Sequence, residues 1–205
     1  MLPFGANVRR HAHERDLRIH HDPSTLDHGA LGVKPSPRGA GIMRCVSPSS
    51  RSEATARPVA LVTGGAVRVG RAITEALIEA GYGVWLHCHR SRDQAEALAA
   101  AHPNGILGVV PGDLTQPAQR QEVAQRVGAR LDLLVNNAAS YERGGFEHRT
   151  DDDLRRVLEL NLIAPLALIR ACLPALRSAR GNVVQILDVA AMHPWPGYLD
   201  HCISK

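Results

Sequence analysis

The chain has 205 residues, of which 44% are hydrophobic and 21% charged, a composition typical of a soluble globular domain that is large enough to bury a core. No apolar run approaches the roughly 18 residues that a membrane-spanning helix needs. The net charge of +4 comes entirely from residues 1–58, because residues 59–205 contain fifteen basic and fifteen acidic side chains. With only 3% aromatic residues, the sequence lacks the basic and aromatic surface expected of a nucleic-acid-binding domain.

Residues 1–57 have neither helical nor strand periodicity and are rich in Arg, His, Pro, Ser and Gly. Such a segment cannot bury enough apolar surface to offset the entropy lost on ordering. We therefore predict a disordered N-terminal extension. A second hypothesis is a gene start assigned too early, with Met43 as the true initiator. Acidic side chains such as Glu14 and Asp16 argue against a transit peptide.

From Pro58 onward, short apolar runs alternate with segments of helical periodicity. The predicted strands are residues 59–63, 84–88, 106–110, 131–135 and 183–187. The predicted helices are residues 69–80, 93–101, 116–127, 151–161 and 164–177, with a further helix that starts near residue 198. This alternation predicts right-handed βαβ units, so residues 58–205 are expected to form an α/β domain with a doubly wound parallel sheet of the Rossmann type. Because the strands are continuously apolar, helices should cover both faces of the sheet.

The four cysteines, Cys45, Cys88, Cys172 and Cys202, are widely spaced along the chain. They form neither a CxxC pair nor a Cys/His spacing of the kind that binds zinc. This pattern favours reduced cytosolic thiols over disulfides, and it predicts no metal site.

The first strand is followed directly by residues 63–70, Thr-Gly-Gly-Ala-Val-Arg-Val-Gly. Gly64 permits a tight turn, and Gly70 lets the following helix pack close to the strand. The helix N-terminus then presents unpaired N–H groups to a pyrophosphate. A merely tight strand-to-helix turn is the structural alternative. In this context we predict a dinucleotide site that includes Thr63, Gly64, Arg68, Val69 and Gly70.

The second strand ends in His-Cys-His-Arg-Ser, residues 87–91. An NAD site usually has an acidic residue here, which accepts hydrogen bonds from the ribose hydroxyls, and this chain has none. The guanidinium of Arg90, with His89 and Ser91 beside it, suits the 2′-phosphate of NADP. A solvated basic loop is the alternative, but the pattern favours NADPH as the cofactor.

Two further strand ends supply candidate cofactor residues. After the third strand, Asp113 and Leu114 are candidates for the adenine end, although an Asp there is nearly as well explained as a turn former or helix N-cap. After the fourth strand, the run Asn-Asn-Ala-Ala brings Asn137 and Ala138 to the cofactor. The small residue lets the backbone approach, and the Asn amides tie neighbouring strand ends together.

Together these motifs resemble the short-chain dehydrogenase/reductase family, and their details are most similar to its pteridine reductase subgroup. Arg68 stands where most members have Gly, and the His-Arg-Ser ending of the second strand is similar to that of the subgroup. The resemblance implies a substrate site made of Arg68, Tyr141, Asp188 and Tyr198, in which Tyr141 stacks on the pterin ring. Phe146 is a weaker candidate and is better explained as a core residue.

The resemblance also implies a catalytic set of Asn161, Asp188, position 201 and Lys205, with Lys205 contacting the cofactor as well. The family has Tyr at position 201 as the proton donor, whereas this chain has His201. A histidine is able to donate a proton, but its ring is shorter than a phenol and the Lys205 charge should favour its neutral form. We therefore expect impaired catalysis, with Tyr198, on roughly the same helix face, as a partial substitute. A tolerated replacement is one alternative, and a sequence error or relic is another.

The family continues beyond the position that corresponds to Lys205. The resemblance therefore predicts a fragment or a truncated reading frame, a sheet that is incomplete at its C-terminal end, and a full-length form that is a homotetramer or homodimer. The expected function is the NADPH-dependent reduction of a dihydropterin-like or dihydrofolate-like small molecule in the cytoplasm, without nucleic-acid, membrane or metal partners. One alternative is a 3-oxoacyl-type carbonyl reductase, against which Asp188 argues because Ser is usual there. Another is an inactive cofactor-binding fragment.

Overall fold

The computed structural model describes residues 57–205. The predictions for the preceding segment, including disorder, Met43 as initiator and the reduced state of Cys45, lie outside the described residues. Among residues 57–205 the strands are β1 Val59–Val62, β2 Gly83–Cys88, β3 Ile106–Pro111, β4 Leu133–Asn136 and β5 Asn182–Gln185. The α-helices of the same region are α1 Arg68–Glu79, α2 Arg92–Ala101, α3 Pro117–Val127, α4 Asp151–Leu158, α5 Ala164–Ala179 and α6 Leu199–Ser204.

These strands form one parallel sheet in the order β3-β2-β1-β4-β5. The chain builds outward from β1 to β3 and then returns to the other side of β1, so the winding direction reverses between β1 and β4. In sheets of this kind, ligands bind at the carboxyl ends of the strands where this reversal occurs. The predicted doubly wound fold of the Rossmann type is confirmed.

The central strand β1 is buried on both faces. Leu61 packs into the cluster that contains α3 and α5 residues, whereas Ala60 and Val62 pack on the opposite face near Ile73 and Leu77 of α1. Successive residues of a strand point to opposite faces, so an apolar run here requires a helical layer on each side. This is the arrangement that the continuous apolar sequence predicts.

The edge strand β5 departs from that pattern. It starts one residue before the predicted range and ends at Gln185, two residues before the predicted end, and all four of its residues are exposed. Val183 and Val184 remain 40% and 43% exposed, so the expectation of complete burial is wrong for this strand. The apolar sequence of β5 is consistent with its pairing with β4. Its position at the edge of the sheet determines how much of the strand is shielded from solvent.

The fourth strand begins at Leu133, two residues later than predicted. Leu131 is fully buried, but its N–H donates to the carbonyl of Ala175 in α5 (3.2 Å). Its apolar character therefore reflects packing against the helix and not membership of the strand.

The two helices predicted around residues 151–177 are one uninterrupted helical stretch. It begins with a capping box in which the Thr150 hydroxyl accepts from the Asp153 N–H, while the Asp153 carboxylate accepts from the Thr150 N–H. The Asp153 carboxylate accepts from the Thr150 N–H and also from the Thr150 hydroxyl (2.8 Å), and these two hydrogen bonds lower the pKa of Asp153 to about 2. The joint between α4 and α5 is a π turn, Glu159–Ile163.

The combined stretch Asp151–Ala179 is long and apolar enough to cross a membrane by length and composition alone, a property that the apolar runs in the sequence do not indicate. In this fold, however, α5 buries a stripe of residues spaced three or four apart, which is the pattern of a helix packed on one face. These residues are Ala164, Leu168, Cys172, Ala175 and Leu176. They belong to the core cluster around Leu61 and Leu134, so α5 is a core helix.

The burial of α5 leads to a stability prediction. Leu168 is fully buried, whereas Leu166 on the same helix is 50% exposed. Leu168→Ala should lower the free energy of unfolding by about 2–5 kcal/mol, because it removes buried methyl groups and leaves a cavity. The matched variant Leu166→Ala should change it by less than about 0.5 kcal/mol. Chemical denaturation of both variants checks this, and equal losses would contradict the assigned face of α5.

Candidate active site

A cleft of about 840 Å³ opens at the carboxyl ends of β1–β4. Every residue predicted to bind the cofactor lines it except Thr63 and Lys205. The predicted residues found in the lining are Gly64, Arg68, Val69, Gly70, His89, Arg90, Ser91, Asp113, Leu114, Asn137 and Ala138. The topology thus gathers strand-end motifs that are far apart in the sequence into one concave surface.

The glycine-rich turn is closely packed at two positions. Gly64 has a φ of +60°, in the left-handed region that favours glycine. A Cβ added to Gly70 would lie 2.1 Å from the Gly64 carbonyl oxygen and 2.6 Å from the Asn137 Nδ2. Arg68, at the start of α1, also has a positive φ of +49°, which is uncommon for a residue other than glycine and often accompanies functional sites.

The end of β4 holds this turn from one side. The Asn137 Nδ2 donates to the carbonyls of Thr63 (2.9 Å) and Gly64 (3.1 Å). The Thr63 hydroxyl oxygen accepts from the backbone N–H groups of Asn137 (2.9 Å) and Ala138 (3.0 Å). Thr63 therefore lies beneath the turn, fully buried, and supports the cleft without lining it. The predicted tie between neighbouring strand ends is present.

The end of β2 holds the turn from the other side through His87, a cleft residue that was not selected from the sequence. The Gly64 N–H donates to the His87 Nδ1 (3.2 Å), and the His87 Nε2 lies 3.0 Å from the Gly112 carbonyl oxygen. Burial lowers the pKa of His87 to about 4. The alternation of a strand gives the signal that could have found it, because His87 and His89 lie two residues apart on the same face.

After β3, where the sequence predicts the adenine end of the site, Asp113 forms a turn. Its Oδ1 accepts from the Thr115 N–H (2.9 Å) and hydroxyl (2.8 Å). Burial opposes the charge, but these hydrogen bonds hold the pKa of Asp113 below its usual value. Of the interpretations left open by the sequence, the turn former is therefore observed, and the helix N-cap of α3 is Gln116. Because Asp113 also lines the cleft, an adenine contact stays a prediction.

A buried arginine connects the loop after β3 to the π turn. The Arg120 Nη1 donates to the Leu114 carbonyl and to the Glu159 carboxylate, both at 2.6 Å. Arg120 is 8% exposed, and removing one partner of a buried pair is costly. The loop after β3 and the helix that carries Asn161 are therefore joined beneath the cleft floor.

Ser140 connects the cleft to the predicted catalytic residues. The Asn161 Oδ1 accepts from the Ser140 N–H (2.8 Å), and its Nδ2 donates to the Ser140 carbonyl (3.0 Å) and the Ser204 hydroxyl (2.8 Å). Asn161 lies in the π turn and is buried. It fixes the segment after β4, which leads directly from Asn137 and Ala138 to the predicted catalytic residues.

His201 is almost fully buried, with both ring nitrogens near acceptors. Its Nε2 lies 3.1 Å from the Asp188 Oδ2, and its Nδ1 lies 3.3 Å from the Ser140 carbonyl. Since both partners accept hydrogen bonds, a neutral ring can donate to only one of them, whereas an imidazolium can donate to both. The ring therefore lies in direct contact with a carboxylate.

The partners of His201 are themselves held in place. The Ala190 N–H donates to the Asp188 Oδ1 (2.9 Å), and this hydrogen bond, together with that of His201, lowers the pKa of Asp188. The Lys205 ammonium donates to the Ile186 carbonyl (3.2 Å). Burial lowers the pKa of Lys205, and the Asp188 charge opposes that shift.

Aromatic rings cover this group. The Tyr141 and Tyr198 rings are stacked, with centroids 4.6 Å apart and planes 21° apart. Tyr141 also meets the His201 ring edge-on at 4.7 Å. Tyr198 is the N-cap of α6, the helix that carries His201, and both side chains contact Tyr141. Phe146 is 75% exposed on a short 3₁₀ turn, so its interpretation as a core residue is wrong.

The predicted site residues thus fall into two connected groups. Tyr141, Asp188, Tyr198 and His201 come together at one place, while Arg68 lines the cleft with the other cofactor candidates. Within the described residues, Cys88, Cys172 and Cys202 are free and buried, and no group of three His, Cys, Asp or Glu side chains is arranged to hold a metal ion.

The sequence also resembles known proteins. The chain is 30% identical over 139 residues to a rhamnolipids biosynthesis 3-oxoacyl-(acyl-carrier-protein) reductase of Pseudomonas aeruginosa, with 65% of this chain and 54% of that protein covered. It is 35% identical over 134 residues to an L-fucose dehydrogenase of Rattus norvegicus, with 62% and 48% covered. The chain spans about half the length of these curated relatives.

A solved structure of a short-chain dehydrogenase from Streptomyces avermitilis is similar to this fold, with a TM-score of 0.68 and 34% identity. The similarity covers 75% of this chain and 57% of that one. The pteridine reductase subgroup is not tested by these relatives and stays a prediction. The family model described as short chain dehydrogenase matches residues 58–205, and the chain therefore belongs to the short-chain dehydrogenase family of oxidoreductases.

Proposed function

We propose that the protein is an NADPH-dependent reductase of a flat, pteridine-like substrate. The observation that carries this proposal is the Asp188–His201 pair, with a nitrogen-to-oxygen distance of 3.1 Å, lying beneath the edge of the Tyr141 ring. This arrangement combines a proton donor with an aromatic surface suited to a flat ring. The Asp at position 188 also fits the resemblance to the pteridine reductases, since Ser is the usual residue there in carbonyl reductases of the family.

The cleft suits a dinucleotide phosphate. The absence of a side chain at Gly70 leaves α1 in contact with the Gly64 carbonyl, so the helix N-terminus is available to a pyrophosphate. The basic and hydroxyl side chains of His89, Arg90 and Ser91 line the cleft at the end of β2, where a 2′-phosphate would need a positive charge. NADPH, when bound, supplies the hydride.

The chain's own residues would then manage the proton. An imidazolium at His201 would give its Nε2 proton to the substrate nitrogen beside the carbon that receives the hydride, and the Asp188 carboxylate, 3.1 Å from Nε2, orients the ring and stabilises its charge. Lys205 lies close enough for its charge to act on Asp188. Asn161 holds the Ser140 carbonyl, the second acceptor of His201, and so fixes the ring from the other side.

A 3-oxoacyl reductase is the second candidate, because the relative from Pseudomonas aeruginosa carries that name. A carbonyl substrate also needs a hydride and a proton, so the same cofactor cleft would serve. Asp188 argues against this candidate, since its carboxylate repels a developing alkoxide where a Ser hydroxyl would donate to it.

The two candidates are separated by a substrate panel. NADPH oxidation is followed with dihydrobiopterin, dihydrofolate and an acetoacetyl thioester, and each reaction is repeated with NADH. We expect turnover of a pteridine with NADPH in preference to NADH. Turnover of the thioester alone would favour the second candidate. Cofactor binding without turnover of any substrate would indicate a protein that only binds the nucleotide.

The cofactor cradle gives a second prediction. Gly70→Ala places a Cβ against the Gly64 carbonyl, and an overlap with backbone of this kind typically costs about 1–3 kcal/mol. The affinity for NADPH should therefore fall roughly 10- to 100-fold, measured by calorimetry. Gly145→Ala is the control, since a Cβ there meets the flexible end of Glu147 at 3.2 Å and the His148 ring at 3.7 Å, and no backbone atom is among these neighbours. Unchanged affinity in Gly70→Ala would exclude the turn from the binding site.

The proton donor gives a third prediction. His201→Phe keeps a ring but removes both nitrogens, so kcat should fall by about 10²- to 10⁴-fold, the usual contribution of a general acid. His201→Tyr restores a proton donor and should retain measurable turnover. The affinity for NADPH should stay the same in both variants, because His201 lies outside the cleft lining. Full activity of His201→Phe would show that the proton comes from another group.

A further inference from the structure

The glycine-rich turn, residues 63–70, is held from two sides. Asn137, which holds it on the β4 side, has a predicted role in cofactor binding, whereas His87, which holds it on the β2 side, has none. On the β4 side, Asn137 binds Thr63 and Gly64. On the β2 side, the His87 side chain performs the equivalent function. It is 1% exposed, and it lies beneath the cleft between the phosphate turn and the segment that begins at Gly112.

The two partners of His87 determine the form of its ring. The Gly64 N–H can only donate, so the Nδ1 that faces it must carry a lone pair. The Gly112 carbonyl can only accept, so the Nε2 must carry the hydrogen. Only the neutral ring with hydrogen on Nε2 satisfies both neighbours, at 3.2 and 3.0 Å. Protonation of Nδ1 would turn an acceptor into a donor that faces another donor.

The backbone reinforces this link. The Gly65 N–H donates to the His87 carbonyl (3.1 Å), and the Gly112 N–H donates to the Cys88 carbonyl (2.9 Å). The ends of β1, β2 and β3 are therefore joined in a row. The turn at one end of this row is the predicted pyrophosphate site, and Asp113, next to Gly112, lines the adenine end.

We propose that His87 is a positioning residue for the cofactor, which fixes the distance between the phosphate turn and the adenine end of the cleft through a neutral Nε2–H imidazole. This inference rests on the proposal that the cleft binds NADP. His87 does not act on the substrate, and it works through Gly64 and Gly112. A carboxamide offers the same pair of groups, one acceptor and one donor, so Gln is the conservative replacement.

The decisive measurement is the affinity for NADP⁺, by calorimetry at pH 7, of the wild type and two variants. His87→Leu leaves Gly64 N–H and the Gly112 carbonyl without their partner, and the affinity should fall about tenfold or more. His87→Gln should stay within about threefold of the wild type. Leu168→Ala, which weakens the core away from the cleft, should lower thermal stability without changing this affinity.

A pH series adds a readout that a merely structural role would not produce. Since burial lowers the pKa of His87 to about 4, the wild type should lose affinity relative to His87→Gln as the pH falls from 6 towards 4. The other charged groups that act on the ring are His89 at the end of β2 and Asp113 after β3. Both are present in the wild type and in His87→Gln, so their own effect on affinity cancels in the ratio of the two affinities. The ¹⁵N shifts of His87 at pH 7 should show hydrogen on Nε2 alone.

The outcomes are distinguishable. Equal affinities of the wild type and His87→Leu, or hydrogen on Nδ1, would overturn the role of His87 and leave the NADP proposal intact. Failure of the wild type to bind either NADP⁺ or NAD⁺ would overturn both proposals. Binding with the expected order, wild type and His87→Gln above His87→Leu, supports the assignment.

Discussion

The side-chain amide of Asn137 donates to two consecutive carbonyls at the start of the glycine-rich turn. These contacts need the turn, the start of α1 and the end of β4 to meet in a space that a single Cβ at Gly70 would fill. The shape of the cleft therefore follows from the close packing of these three backbone segments, which also fixes the positions of the side chains that line it. The winding reversal between β1 and β4 provides the gap, and the amide keeps its two sides together.

The predicted catalytic residues depend on the same segment. Ser140 follows Asn137 and Ala138 within a few residues, and its carbonyl accepts from Asn161 and lies 3.3 Å from the His201 Nδ1. A displacement at the turn would therefore reach His201 through a short run of backbone. This continuity links the cleft to the groups around Asp188 and His201.

The fold was largely predictable, because the buried strands and amphipathic helices carry clear periodicity. The errors have physical causes. Leu131 packs against α5, so its apolar character wrongly extended the predicted β4 at its start. The apolar run around β5 wrongly extended that strand at its end, although β5 lies exposed at the sheet edge. The cofactor motifs were local in sequence and could be found. The roles of Ser140 and His87 depend on contacts between distant segments, and a pattern of residue types does not contain those distances. The sequence predicts two helices where the structure has one helical stretch, because the π turn Glu159–Ile163 that joins α4 and α5 has no distinctive residue composition.

That π turn lets the helix orient Asn161 independently of the buried face of α5, whereas in a regular α-helix the two orientations would depend on each other. Each residue of an α-helix advances the chain by about 100° around the axis, so one added residue would rotate everything after it. In the π turn Glu159–Ile163 the extra residue is absorbed locally. The buried stripe of α5 keeps facing the sheet, while Asn161 reaches Ser140. The helix can thus change the orientation of its functional side chain without altering the phase of the face that holds the domain together.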